Sequence, residues 1–167
     1  MLSPFTRWPS KNWPLDNYAA LVRALPADVI PVVTGAGTDR AAVDEFLSRV
    51  PAGAVINLCG ALDLEDFAAL VDGARAMVSG DSFAMHLAWA CRTPVVALFG
   101  PTAESRVAPT DGPRAVLRAD VDCRICYRRR CPRRCIDAIG VNDVLDALAR
   151  IAGVGRSGPD RTTGPVS

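Results

Sequence analysis

Short apolar runs alternate with segments of about ten residues whose apolar positions recur at helical spacing, and this alternation constrains the fold more than any other feature of the chain. Residues 28–34 (DVIPVVT) form a β-branched run that ends in the turn Gly35-Ala36-Gly37. Residues 54–59 (AVINLC), 76–79 and 94–99 (PVVALF) read the same way, and 115–117 suggest a last short strand. Between them lie helical patterns over 14–25, 38–50, 63–74, 82–91 and 142–151, the second with Thr38 as its expected N-cap. Strands that are almost wholly apolar must be covered on both faces, and intervening helices supply the cover. The expected fold is α/β: a doubly wound, Rossmann-like parallel sheet.

The opening residues fit this scheme poorly. Thr6, Arg7, Trp8, Lys11 and Trp13 stand in a Pro-containing loop, and no strand is expected ahead of them, so the chain reads as beginning mid-fold. At the other end, residues 153–167 are rich in Gly, Ser, Thr and Pro and read as a disordered tail behind a domain of residues 1–152.

Bulk properties narrow the function. A formal net charge of +1 gives no reason to expect nucleic acid as a partner. No stretch approaches the roughly 18–20 apolar residues that cross a bilayer. The first residues lack the apolar core of a secretory signal, so the expected compartment is the cytoplasm. The six cysteines are then reduced thiols or metal ligands rather than disulfides.

Three constellations carry chemistry. In Val78-Ser79-Gly80-Asp81-Ser82-Phe83-Ala84-Met85-His86-Leu87-Ala88, a buried strand ends at glycine and a helix starts. Free backbone N–H groups there suit a phosphate, Ser82 adds a hydroxyl, and His86, the only histidine, follows one turn later. An ordinary N-cap pair, Asp81 and Ser82, explains the same residues. In Thr6-Arg7-Trp8-Pro9-Ser10-Lys11-Asn12-Trp13-Pro14, hydroxyl, guanidinium and ammonium groups stand in a loop before a helix, and Lys11 is the only lysine. They suit a diphosphate, or belong to a linker whose tryptophans cover the core. Third, Cys123, Cys126, Cys131 and Cys135 are interleaved with six arginines (Arg124, Arg128, Arg129, Arg130, Arg133 and Arg134). Four thiolates could hold zinc or an iron–sulfur cluster, although the spacing fits neither a zinc ribbon nor a ferredoxin. The arginines could bind a phosphorylated acceptor, or the segment could be a solvated basic loop. Thr102, in the turn Gly100-Pro101-Thr102, could reach a ligand or cap its turn.

In order, TRWPSKNWP, the Asp81-Ser82-x-x-x-His86 segment, TPVVALFGPT and the cysteine loop resemble the C-terminal domain of glycosyltransferase family 9, the heptosyltransferases of lipopolysaccharide core assembly. The resemblance covers about residues 4–150. It implies a two-domain GT-B enzyme that transfers heptose, without a metal, from ADP-heptose or another nucleotide sugar to the lipopolysaccharide core. It places Thr6, Lys11, Asp81, Ser82 and the N–H of Phe83 at the donor diphosphate and His86 beside them. It sets Asp39 at the ribose and Leu62 against adenine. It also implies work in the cytoplasm, peripheral to the inner face of the inner membrane.

Two departures stand out. The family usually has glycine where this chain has Phe83. The family's general base belongs to the N-terminal domain, outside the matching stretch. General-base help is worth about 10²–10⁴ in rate, so the resemblance implies donor binding with little or no transfer by this chain alone. Two other functions stay open: a metal-binding or redox module built on the four cysteines, and a non-catalytic domain that binds phosphate or lipid.

Overall fold

The computed structural model describes residues 1–155 apart from 119 and 124. Strand Val95–Phe99 shows how the layers arise. Val96 and Leu98 enter one buried cluster while Val95, Ala97 and Phe99 enter another, because successive side chains point to opposite faces. All five residues are buried, so this is the middle of a sheet covered on both sides.

Six parallel strands make that sheet: β1 (Leu2–Ser3), β2 (Val32–Val33), β3 (Ile56–Asn57), β4 (Met77–Gly80), β5 (Val95–Phe99) and β6 (Arg114–Arg118). Their order is β3-β2-β1-β4-β5-β6. Chain order reverses between β1 and β4, which pair Leu2 with Val78 and Ser3 with Ser79. Open sheets of this kind form a crevice at such a switch point, beyond the carboxyl ends of the strands.

The helices are α1 (Leu15–Ala24), α2 (Arg40–Leu47), α3 (Leu64–Asp72), α4 (Phe83–Ala90), α5 (Glu104–Val107) and α6 (Val141–Ala152). Helices α1, α2 and α6 bury Tyr18, Leu21, Val43, Phe46, Val144 and Leu148 on one face of the sheet. Helices α3 and α4 bury Val71, Ala84, Met85 and Ala88 on the other. Trp13, Tyr18 and Phe46 meet edge to face in the first layer. Trp13 Nε1 donates to Ile139 O at 2.9 Å, which satisfies its one polar atom.

The expected fold class is the one observed, with three corrections of detail. A strand does precede the Thr6–Trp13 loop: β1 lies in the middle of the sheet, so the loop leaves a strand's carboxyl end. Two residues ahead of Pro4 are too few to show a period, and their pairing is tertiary. Thr38 does not cap α2. It sits in a 3-10 turn (Gly37–Asp39), and the carboxylate of Asp39 accepts the N–H of Ala36 at 2.8 Å. Strands β2 and β3 are shorter than their apolar runs, and Pro31, just before β2, has no N–H to donate to a ladder.

At the C-terminal end, Gly153 closes α6 in the left-handed conformation and Val154 packs into the core. The rest of the expected tail, from residue 156 on, lies outside the described residues. Among the described residues no helix is long and apolar enough to cross a membrane.

Candidate functional site

A cavity of about 970 Å³ opens at the switch point. The β1 loop, the turn after β2, the start of α3 and the start of α4 line it. Of the residues singled out from the sequence, Thr6, Lys11, Asp39, Leu62, Asp81, Ser82 and Phe83 all contribute to that lining. His86 is half-buried one turn into α4 and does not line the cavity.

Two glycines let the β1 loop lie across the strand ends. A Cβ at Gly80, the end of β4, would meet Lys11 O at 2.7 Å and Thr6 Cγ2 at 3.3 Å. A Cβ at Gly100, just past β5, would meet Ser10 O at 2.9 Å. These approaches set the depth of the loop and hence the position of its cation.

Lys11 Nζ lies 2.6 Å from Asp81 Oδ2, with the two side chains only 13% and 10% exposed. The same carboxylate oxygen accepts Thr102 Oγ1–H at 2.8 Å. Lys11 also sits over the Trp8 ring, 4.4 Å from its centroid. Partial burial makes this ion pair stronger than an exposed one, because little water screens it. An ammonium has three protons, so Asp81 orients Lys11 without exhausting it.

Thr6 shapes its own loop. Its Oγ1 lies 2.9 Å from both Trp8 O and Asn12 Oδ1 and accepts Trp8 N–H at 3.1 Å. Ser82 occupies the N-cap of α4 but makes no side-chain cap; its hydroxyl pairs with Ser79 Oγ at 3.0 Å. Among the described residues, the first N–H groups of α4 thus have no cap from Ser82 at the cavity wall, where the positive end of the helix favours an anion. Phe83 is 60% exposed, and its ring stands 6.4 Å from that of Phe67, so the two form an apolar wall beside the polar corner.

The cysteine-containing segment docks onto the β1 loop. Ser10 Oγ donates to Arg128 O at 2.6 Å, Ser10 N–H to Arg129 O at 3.2 Å, and Arg134 Nη2 to Asn12 O at 2.5 Å. Arg129 faces the Trp8 ring that Lys11 also faces. Cys123, Cys126, Cys131 and Cys135 are free thiols. Burial pushes the Cys135 thiol up, with a smaller push from the charges of Cys126 and Cys123. Among the described residues, no three His, Cys, Asp or Glu side chains gather as a metal ion would require.

Sequence reasoning named Thr102 and Asn12 without assigning them a role and missed Arg118 and Phe67 as site residues. Thr102 had a local signal, a tight turn at the carboxyl end of an apolar strand. Arg118 had none, since it follows an ordinary apolar triplet.

Sheet order, cavity and cationic corner define a class: a doubly wound α/β domain with a charged cavity at its switch point. The model of glycosyltransferase family 9 (heptosyltransferase) matches residues 1–137, and the chain belongs to that family. Lipopolysaccharide heptosyltransferase 2 of Salmonella typhimurium is 33% identical over 114 residues, which are 66% of this chain and 33% of that protein. Its Escherichia coli K12 counterpart is 32% identical over the same length. The structure of E. coli ADP-heptose lipopolysaccharide heptosyltransferase II superposes with a TM-score of 0.76 at 25% identity, covering 90% of this chain and 45% of that one. E. coli heptosyltransferase WaaC with ADP shares the fold, with a TM-score of 0.70 at 22% identity over 90% of this chain and 43% of that one. The chain thus spans about a third of the curated relatives and less than half of the solved ones.

Proposed function

We propose that this chain is the donor-binding part of a heptosyltransferase, holding a nucleotide diphosphate sugar between the Lys11 loop and the start of α4. The observation that carries the reading is convergence: the chain's only lysine pairs with Asp81, 70 residues away, and so meets the start of α4 at one corner of one cavity. An ammonium and free N–H groups supply charge and direction together, as a diphosphate requires.

In this reading Lys11 and the N–H groups of Phe83 and Ala84 contact the diphosphate. The carboxylate of Asp81 orients Lys11 rather than touching a ligand of its own sign. Asp39 keeps one carboxylate oxygen for a ribose hydroxyl while the other holds Ala36 N–H. Leu62 and the Phe67–Phe83 wall offer apolar faces to the base and sugar. Phe83, standing where the family usually has glycine, narrows the site and biases the choice of donor sugar.

Transfer from ADP-heptose to a lipopolysaccharide core acceptor needs a general base and an acceptor cleft, which the family places in its other domain. Residues 1–167 alone should therefore bind donor and transfer little. Calorimetry with ADP on wild type and Lys11→Ala tests the site, with His86→Ala, outside the cavity lining, as the control that should bind as wild type does. The proposal expects Lys11→Ala to weaken binding by about tenfold or more, the usual worth of a charged hydrogen bond. Equal affinity in all three proteins would remove the diphosphate assignment.

A further inference from the structure

Arg118 ends β6, opposite Phe99 of β5, and does not line the cavity. Its guanidinium nevertheless governs the turn that follows β5. Nη1 donates to Gly100 O at 2.7 Å, Nη2 to Thr102 O, and Nε to Glu104 Oε2 at 2.8 Å. The side chain is 15% exposed, and its planar fork of five donors holds two carbonyls and a carboxylate in one fixed geometry, whereas an ammonium is a point charge with freely rotating donors. Glu104 balances the charge of Arg118, so its influence on the cavity is geometric rather than a long-range field.

The turn it clamps presents Thr102, only 4% exposed, whose Oγ1 donates to Asp81 Oδ2 at 2.8 Å. That oxygen also receives Lys11. Two donors therefore share one acceptor atom, whose two lone pairs hold both at once. With Thr102 in place, the carboxylate's direction is set and part of its acceptor strength is used. Without it, Asp81 is free to turn and to carry Lys11 with it, drawing the ammonium away from any anion in the cavity.

We infer that Arg118 is a positioning residue for the Lys11 site, acting through Thr102 and Asp81. The inference rests on the donor-binding reading for its consequence, a change in diphosphate affinity. Its structural half concerns Lys11 alone and can be read without a ligand.

Lys11 is the only lysine, so the side-chain ammonium of the full chain gives one ¹⁵N resonance, observable by NMR. Arg118→Met and Thr102→Val should shift it in the same direction and change its proton exchange by about tenfold, while Thr102→Ser restores the wild-type signal. A variant that merely loosened the fold would not be rescued by a hydroxyl. If Arg118→Met fails to fold, as a thermal melt would show, Thr102→Val against Thr102→Ser carries the same test. In calorimetry with ADP, Arg118→Met should lose about tenfold in affinity, and adding it to Lys11→Ala should cost nothing more. An unmoved ammonium resonance in Arg118→Met and Thr102→Val overturns the relay. So do independent losses that multiply in the double variant. A shifted resonance in a protein that never binds ADP would uphold the relay and sink the donor reading instead.

Discussion

Lys11 Nζ and Asp81 Oδ2 meet at 2.6 Å across 70 residues of chain, at the point where the strand order of the sheet reverses. This pairing turns a loop and a helix start into one site. It has a structural price, because each group is largely taken from water. Removing one partner leaves the other part-buried without its counter-charge. Asp81→Ala should lower stability by about 1–3 kcal/mol, measured by urea unfolding. The double variant with Lys11→Ala should lose less than the sum of the single losses. Additive losses would show that the pair is not coupled in solution.

The glycines under the β1 loop are the second place where a small change reaches the site. Gly80→Ala forces a Cβ to within 2.7 Å of Lys11 O, a backbone atom that cannot swing away. The expected cost is about 1–3 kcal/mol together with a displaced loop. Gly37→Ala is the control, since nothing lies within 4 Å of its added Cβ. A Gly80→Ala protein as stable as Gly37→Ala would contradict the close approach.

Trp13 fastens the first helix layer to the segment ahead of α6. It is 2% exposed, and its Nε1–H satisfies Ile139 O. Trp13→Phe keeps most of the apolar area but strands a buried carbonyl, which costs about 1–3 kcal/mol. Trp13→Ala adds a cavity and should cost about 3–5 kcal/mol. Thermal melts of the two variants would rank them in that order, and a neutral Trp13→Phe would deny the hydrogen bond its role.

The thiols should react in an order set by exposure and charge. Cys123 is exposed, whereas burial, reinforced by Asp39, pushes the Cys59 thiol up. A raised pKa means less thiolate at neutral pH, and its reactive fraction appears only as pH climbs further. Under iodoacetamide at about pH 7, followed by peptide mass spectrometry, Cys123 should label first and Cys59 last. Cys135, also pushed up by burial, should gain reactivity as the pH rises above neutral. Rapid labelling of Cys59 in the folded protein would contradict its placement.

Legibility in the sequence depended on the range of each interaction. The β4 and β5 runs announced a covered parallel sheet because they are almost wholly apolar, and the helix start at Ser82 was legible from its residue type although its hydroxyl turns to Ser79 instead of capping. Strand β1 gave no sign, since Leu2 and Ser3 become a strand only by pairing with β2 and β4. The meeting of Lys11 with Asp81 could be expected through family resemblance but not from the residues themselves. Nothing local in either segment specifies a partner 70 positions away. Arg118 stayed hidden for the same reason: its importance lies in the carbonyls of Gly100 and Thr102, and backbone acceptors carry no sequence signature.

The most direct test of the donor site compares ADP with AMP by calorimetry on wild type and Lys11→Ala. In the proposed site, the β-phosphate adds the charge that Lys11 and the start of α4 would hold. Wild type should prefer ADP by about tenfold or more, and Lys11→Ala should lose most of that preference while binding AMP nearly as before. A preference for ADP that survives intact in Lys11→Ala, or a wild type that binds neither nucleotide, would contradict the account.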